Sequence, residues 1–340
     1  MPSTDQISAD KIKSMRAAFE DAVNSIRSAS TLKAVQDAIA AGDVDRLIRI
    51  LGLDETTFAP LTEALRDSYI TGGQYAAEVL TPIPTVDGPV AFRFDLTATE
   101  AARWISTESS RMVTEMLDDQ KQMVRSVIAA GTQAGIGPRQ QALDLVGRVG
   151  TNGVRRGGFV GLTTQQAGWV SSARDELAAG DPHYFTRSLR DKRFDAVIRR
   201  AIKDGKPVPK KTIDAAITAM QSRAQKYRGD VIARTEAIKG LRAGQAEGIV
   251  QGIRKGDIEP SDVTIRWDAT GDSRTRLDHM MMEDKTVRLG QPFTLPDGSN
   301  MMYPGDDSLG APAGQVIQCR CRAEYKVDFI GRAIRMQGFR

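Results

Sequence analysis

The sequence predicts a mainly α-helical protein with a C-terminal α+β module: a long-helix helical domain, then a small mixed domain with short antiparallel strands. Three observations predict it. Apolar residues recur at helical spacing through most of the chain before residue 255. From Asp257 the pattern becomes alternation, with Val263, Ile265 and Trp267 separated by polar residues. Pro296-Asp297-Gly298 then marks a turn between two short β-like runs.

The elements follow in order. Residues 1–95 read as an N-terminal region of short helices broken at Gly42, Gly52 and Gly72-Gly73. The prolines of TPIPTVDGPVAFRF and its Asp87-Gly88 turn signal set a boundary over residues 81–95, with room for one short strand. Thr97 and Glu100 form a capping-box pattern and open a long amphipathic helix in which Ile105, Met112, Met116, Met123 and Val127 share a face as far as Gly131. The methionine stripe reads as core packing by flexible side chains in preference to an adaptable partner surface. Gly137-Pro138 starts another helix, because proline is tolerated at the first helical position, and Thr163 with Gln166 caps the next. From Tyr184 the helical spacing continues with one strong break, Gly205-Lys206-Pro207, which completes an all-helical domain over residues 96–255. Residues 256–330 form the mixed module and 331–340 a tail. The module's last run is expected to be one strand, since Ile317, Cys319, Cys321, Ala323, Tyr325 and Val327 occupy alternate positions.

The chain has 340 residues, 41% hydrophobic and 26% charged, enough to bury two or three cores and ordinary for a folded protein. Its start, MPSTDQISADK, has no basic stretch followed by an apolar one, and no run reaches the ~18 apolar residues that span a bilayer. No membrane partner is expected. Cys319 and Cys321 are the only cysteines and stand too close to frame a disulfide-dependent secreted domain, which points to synthesis in a reducing cytoplasm. Gly150, Gly153, Gly157, Gly158 and Gly161 match neither nucleotide-binding glycine pattern, so neither a cofactor nor a small-molecule substrate is expected. A formal net charge of +4 is too small for a dedicated nucleic-acid binder as a whole. Charge is concentrated, however, between Tyr184 and Lys211, where Lys206 and the candidate phosphate contacts Arg187, Arg190, Lys192, Arg193, Arg199, Arg200, Lys203, Lys210 and Lys211 face only Asp191, Asp195 and Asp204. That segment is either a solvated basic helix or a sequence-independent contact to the phosphates of double-stranded DNA.

Four pieces stand in order toward the C-terminus: Arg234-Thr235-Glu236 on a helix; Trp267-Asp268-Ala269-Thr270 leading to Asp272-Ser273-Arg274-Thr275-Arg276 and His279; Tyr303-Pro304-Gly305-Asp306; and Cys319-Arg320-Cys321-Arg322. This ordered set resembles the phage Mu protein F-like head-morphogenesis family, over roughly residues 100–325 and most closely after 230. One departure is visible: where that family has a glycine soon after the histidine, this chain reads Met280-Met281-Met282-Glu283-Asp284, with the nearest glycine at Gly290, so a longer turn is expected. The resemblance implies a structural minor head protein of a tailed-phage virion, assembled in the host cytoplasm. It implies portal and other head proteins as partners, low copy number and, in some relatives, ejection with the DNA. Some relatives carry a toxin domain after the closing motif; the nineteen residues that follow Cys321 are too few for one.

The residues themselves support a narrower reading. Asp272, Arg274, Arg276, His279, Cys319 and Cys321 read as a structural clasp, with Asp272 holding a neighbouring guanidinium and His279 bonding across to the closing strand. A sharper alternative is a zinc site from His279, Cys319, Cys321 and either Asp272 or Asp306, against the plain reading of the cysteines as small buried hydrophobes. The enzymatic alternative is a metal-dependent nuclease in which Asp272, Arg274 and Arg276 bind a phosphate and His279 acts as base. The clasp is preferred, with no cofactor and no catalysis.

Overall fold

The computed structural model describes residues 4–80, 91–150, 153–255 and 258–336. The expected Asp87-Gly88 turn and most of the 81–95 boundary lie outside the described residues. In chain order the helices and strands are α1 (Thr4–Ser28), α2 (Leu32–Ala40), α3 (Val44–Ile50), α4 (Ala59–Leu80), α5 (Thr99–Gln133), α6 (Pro138–Val146), β1 (Arg148–Val149), β2 (Arg155–Arg156), α7 (Thr164–Ala179), α8 (Asp195–Lys203) and α9 (Lys210–Arg254). There follow β3 (Val263–Asp268), α10 (Leu277–Met280), β4 (Thr286–Arg288), β5 (Phe293–Thr294), β6 (Asn300–Met301), α11 (Ala313–Val316), β7 (Arg322–Val327) and α12 (Phe329–Met336). The fold is mainly α with a C-terminal α+β region of short antiparallel strands. Among the described residues no helix is long and apolar enough to cross a membrane.

The chain forms two compact units, and their limits differ from the sequence boundaries near 95 and 255. One comprises residues 1–16, 62–109 and 231–340; the other comprises 17–61 and 110–230. The limits fall inside α1, α4, α5 and α9, because each of these helices continues past the turns and composition changes that mark boundaries in a sequence.

Among its described residues the second unit is helical except for one hairpin, β1 paired antiparallel with β2, which the all-helical expectation did not contain. Met112, Met116 and Met123 are buried, so the methionine stripe is core. Gln120 ties α5 to the turn before α7: its amide donates to the Leu162 carbonyl at 2.8 Å and its side-chain oxygen accepts from the Gly161 amide at 2.8 Å. Two helix starts are as the sequence predicts: Gly137 precedes Pro138 at the head of α6, and Thr163 with Gln166 makes a reciprocal capping box on α7. The Thr97–Glu100 box is different. Helix α5 begins at Thr99, Thr97 gives its amide and hydroxyl to the Asp95 carboxylate, and Glu100 pairs with Arg254.

In the first unit, α4 passes straight through Gly72-Gly73, which is therefore no helix break. The glycines are where α9 comes closest. A Cβ on Gly72 would lie 1.9 Å from the Leu241 carbonyl oxygen, and one on Gly244 would lie 1.9 Å from that of Tyr69. Gly240, Gly244 and Gly248 recur every fourth residue and form a ridge along one face of α9, so the two backbones touch where side chains would hold them apart. Below this contact, Ala76, Ala77 and Leu80 of α4 and Ile249 of α9 share a core with Phe92, Ile258 and Val263.

The unit's sheet runs β4-β3-β7, antiparallel throughout, with Ile265 opposite Val287 on one side and Tyr325 on the other. Its inward face carries Val263, Ile265 and Trp267, all buried, as their alternation predicts. The β5–β6 hairpin turns at Pro296–Gly298, also as predicted. The closing run is not one strand. Ala313–Val316 is a helical turn, Gln318 is left-handed at φ 58°, and pairing starts only at Arg322. A non-glycine residue in that conformation breaks the two-residue alternation, so Cys319 and Cys321 precede the strand. Part of the expected tail is also ordered, as the amphipathic helix α12.

Candidate functional site

Strand β3 delivers Trp267, fully buried, to the centre of the module. Its ring meets His279 edge-on at 5.3 Å between centroids and Phe293 at 5.3 Å, both close to perpendicular. The chain leaves β3 through residues 269–276 and turns into α10, whose single turn points His279 inward, 1% exposed. After this histidine the chain turns back to the sheet through residues 281–284. Asp284 adopts φ 60°, supplying the left-handed residue itself, and its amide closes the turn on the Trp267 carbonyl at 3.0 Å.

Opposite His279 lie Cys319 and Cys321, both buried. Their sulfurs stand 3.6 and 3.4 Å from His279 Nδ1. The other ring nitrogen, Nε2, faces Gln315 Oε1 at 3.0 Å, and the Gln315 amide group donates to Asp278 and Asp297 at 2.7 Å each. A hydrogen bond between the two sulfurs, helped by Arg242 and His279, pushes the Cys319 thiol well below the usual thiol range. The same bond, with burial, pushes Cys321 above it.

Asp272 and Arg320 form the clasp's charged half. Arg320 reaches both Asp272 oxygens with its fork, at 2.6 Å for the longer contact, while the Asp272 carboxylate also accepts from the Arg274 amide at 3.0 Å and the Thr275 hydroxyl at 3.2 Å. These donors, Arg320 foremost, hold its carboxyl well below the usual range. The guanidinium expected from Arg274 or Arg276 thus comes mainly from Arg320: Arg274 stays largely exposed, 3.4 Å away, and Arg276 donates to the Ile317 carbonyl. Neither aspartate expected near the cysteines joins them, since Asp306 instead accepts from the Met302 and Ser308 amides at 2.9 and 3.0 Å and braces its own loop.

Helix α9 contributes two residues that the sequence reading passed over, Arg242 and Lys239, beside Thr235 of the ordered set. Arg242, buried, donates to the Pro304 carbonyl at 2.6 Å and to the carbonyls of Cys319 and Cys321. Thr235 accepts from the Gln318 amide at 3.1 Å, and Lys239 pairs with Glu108 and Asp307 at 2.7 Å each. Arg234, Ile238, Arg242 and Gln245 follow helical spacing and share one face, the signal that could have found Arg242. Gln315 left no such signal.

The basic segment is not one helix. Pro182–Thr186 and Lys192–Phe194 are single 3-10 turns, followed by α8 and, after Pro207, by α9. Arg187 pairs with Glu176 at 2.6 Å, Arg190 with Asp195 at 3.2 Å and Arg193 with Asp191 at 2.7 Å, while the Arg199 guanidinium lies over the Phe185 ring. Lys192, Arg200, Lys203, Lys206, Lys210 and Lys211 are exposed.

The family model described as Phage Mu protein F like protein matches residues 192–324. The match takes in every piece of the ordered set from Arg234 to Cys321 but starts well after residue 100. No curated protein and no solved structure matches the chain.

Proposed function

Because residues 192–324 are a phage Mu protein F-like segment, we propose that the chain is a structural, non-enzymatic minor head protein of a tailed phage, acting in head morphogenesis at or near the portal. The observation that carries the non-enzymatic part is where the charged residues are spent. Asp272 is bound to Arg320, Arg276 to a backbone carbonyl, and His279 is 1% exposed, so three of the four groups a nuclease would need face other parts of the same chain. Only Arg274 projects freely enough to meet a phosphate. The test is the composition of purified particles: mass spectrometry should find the chain at a few copies per portal, and its absence from infectious particles would overturn the assignment.

A contact with packaged DNA belongs to the same proposal, narrowed to Lys192, Arg200, Lys203, Lys210 and Lys211, because the arginines at 187, 190 and 193 already hold carboxylates. Such a contact works by releasing counterions, so binding weakens steeply with salt. Reversing Arg200 and Lys203 to glutamate should lower affinity for any duplex and flatten the salt dependence.

A further inference from the structure

We propose that His279, Cys319 and Cys321 hold one zinc ion, which joins the α10 turn to the segment ahead of β7.

The geometry is the first ground. A zinc ion with Zn–N near ~2.0 Å and Zn–S near ~2.3 Å in a tetrahedron sets nitrogen and sulfur about 3.5 Å apart. Here Nδ1 stands 3.6 and 3.4 Å from the two sulfurs, and the three ligand atoms all lie within 4.8 Å of one another. One face of a coordination tetrahedron is thus already assembled, from residues forty positions apart.

The second ground is the histidine's protonation. Gln315 spends both amide hydrogens on Asp278 and Asp297, so its oxygen must face His279 Nε2 and that nitrogen must carry the proton. In neutral His279 the lone pair then sits on Nδ1, directed at the sulfurs. Such a hydrogen bond on the far ring nitrogen is the usual support of a metal-bound histidine.

The third ground is valence and charge. Nδ1 has one lone pair and can accept from only one thiol, whereas a metal ion engages both sulfurs and the nitrogen together. Binding replaces the two thiol protons, which leave to solvent, and two thiolates neutralise Zn²⁺ beside the neutral imidazole. A site without net charge suits a buried position. Asp272 and Asp306, bound elsewhere, are not ligands, and the fourth position falls to a water molecule.

The test uses the full chain, purified without chelator and dialysed against metal-free buffer after incubation with equimolar zinc sulfate. One zinc per chain is expected. Cobalt in its place should give sulfur-to-cobalt charge-transfer absorption in the near ultraviolet, and Gln315→Leu should weaken zinc binding by roughly 10- to 100-fold. Cys319→Ser and Cys321→Ser should each lose stoichiometric zinc; where a variant does not fold, the wild-type cobalt spectrum decides. Failure to retain zinc, or a cobalt spectrum without the sulfur band, overturns the proposal in favour of two thiols packed against a histidine. Zinc retained at full stoichiometry in folded Cys319→Ser overturns it as well.

Discussion

Arg242 is the side chain on which the closing motif rests, since its buried guanidinium satisfies carbonyls at Pro304, Cys319 and Cys321. Replacing it with methionine keeps most of the volume and leaves those acceptors without a donor, at a cost of about 3 kcal/mol in denaturant unfolding. Lysine in its place should recover only a fraction, because a single ammonium cannot span three carbonyls. The Asp272–Arg320 pair should reveal itself through pH. Its carboxyl is held low in the folded chain, so its contribution is complete above the unfolded value near ~4 and fades as pH falls toward the folded one. The stability gap between wild type and Asp272→Asn should therefore narrow below pH ~4; a gap unchanged between pH 7 and pH 3 would refute the pairing. At this scale the sequence was partly legible. Residue identity nominated Asp272, His279 and the cysteines, but partner choice depends on distance in space. Arg274 and Arg276 were nearer to Asp272 along the chain than Arg320, forty-eight positions away, which the fold brings against it.

Helices α9 and α7 make opposite predictions for the same substitution. Alanine at Gly244 must push against the Tyr69 carbonyl, so Gly244→Ala should destabilise by about 2 kcal/mol even though alanine is the better helix former. Gly168, exposed on α7 with nothing within 4 Å of its missing Cβ, should gain roughly 1 kcal/mol from the same change. Thermal or chemical denaturation of the two variants side by side decides whether the ridge is a contact or a compositional accident. Glycine was misread in the sequence for this reason: at Gly72-Gly73 it permits close approach inside a helix, and a single sequence does not distinguish that use from a break. Alternation served better. It placed β3 and the β5–β6 hairpin, and it failed after Val316, where Gln318 turns left-handed and shifts the cysteines off the strand.

For the whole molecule, the boundaries near 95 and 255 were read from glycine, proline and a change of period, which mark where elements end but not where cores are shared. The mixed module has a core of its own around Trp267, Phe293 and Met301, but it shares two more with the long helices: Leu80 and Ile249 pack with Val263, and Tyr69, Ala101 and Ala243 with Tyr303. Residues 256–330 expressed alone should accordingly lack a cooperative unfolding transition, while the full chain shows one; a cooperative melt from the fragment would show that the module stands by itself. The same interleaving sets an order in time. The unit built from 1–16, 62–109 and 231–340 cannot close until its last segment leaves the ribosome, whereas 17–61 with 110–230 is complete earlier. At translation speeds of ~5–20 residues per second, the stretch between 109 and 231 keeps the apolar face of α4 waiting for roughly 6 to 24 seconds. During that interval Gly72 and Tyr69 have no α9 to lie against, so a nascent chain is the form most exposed to holdase chaperones and to wrong partners. The surface that carries the family motifs is complete only once residues 231–324 have emerged.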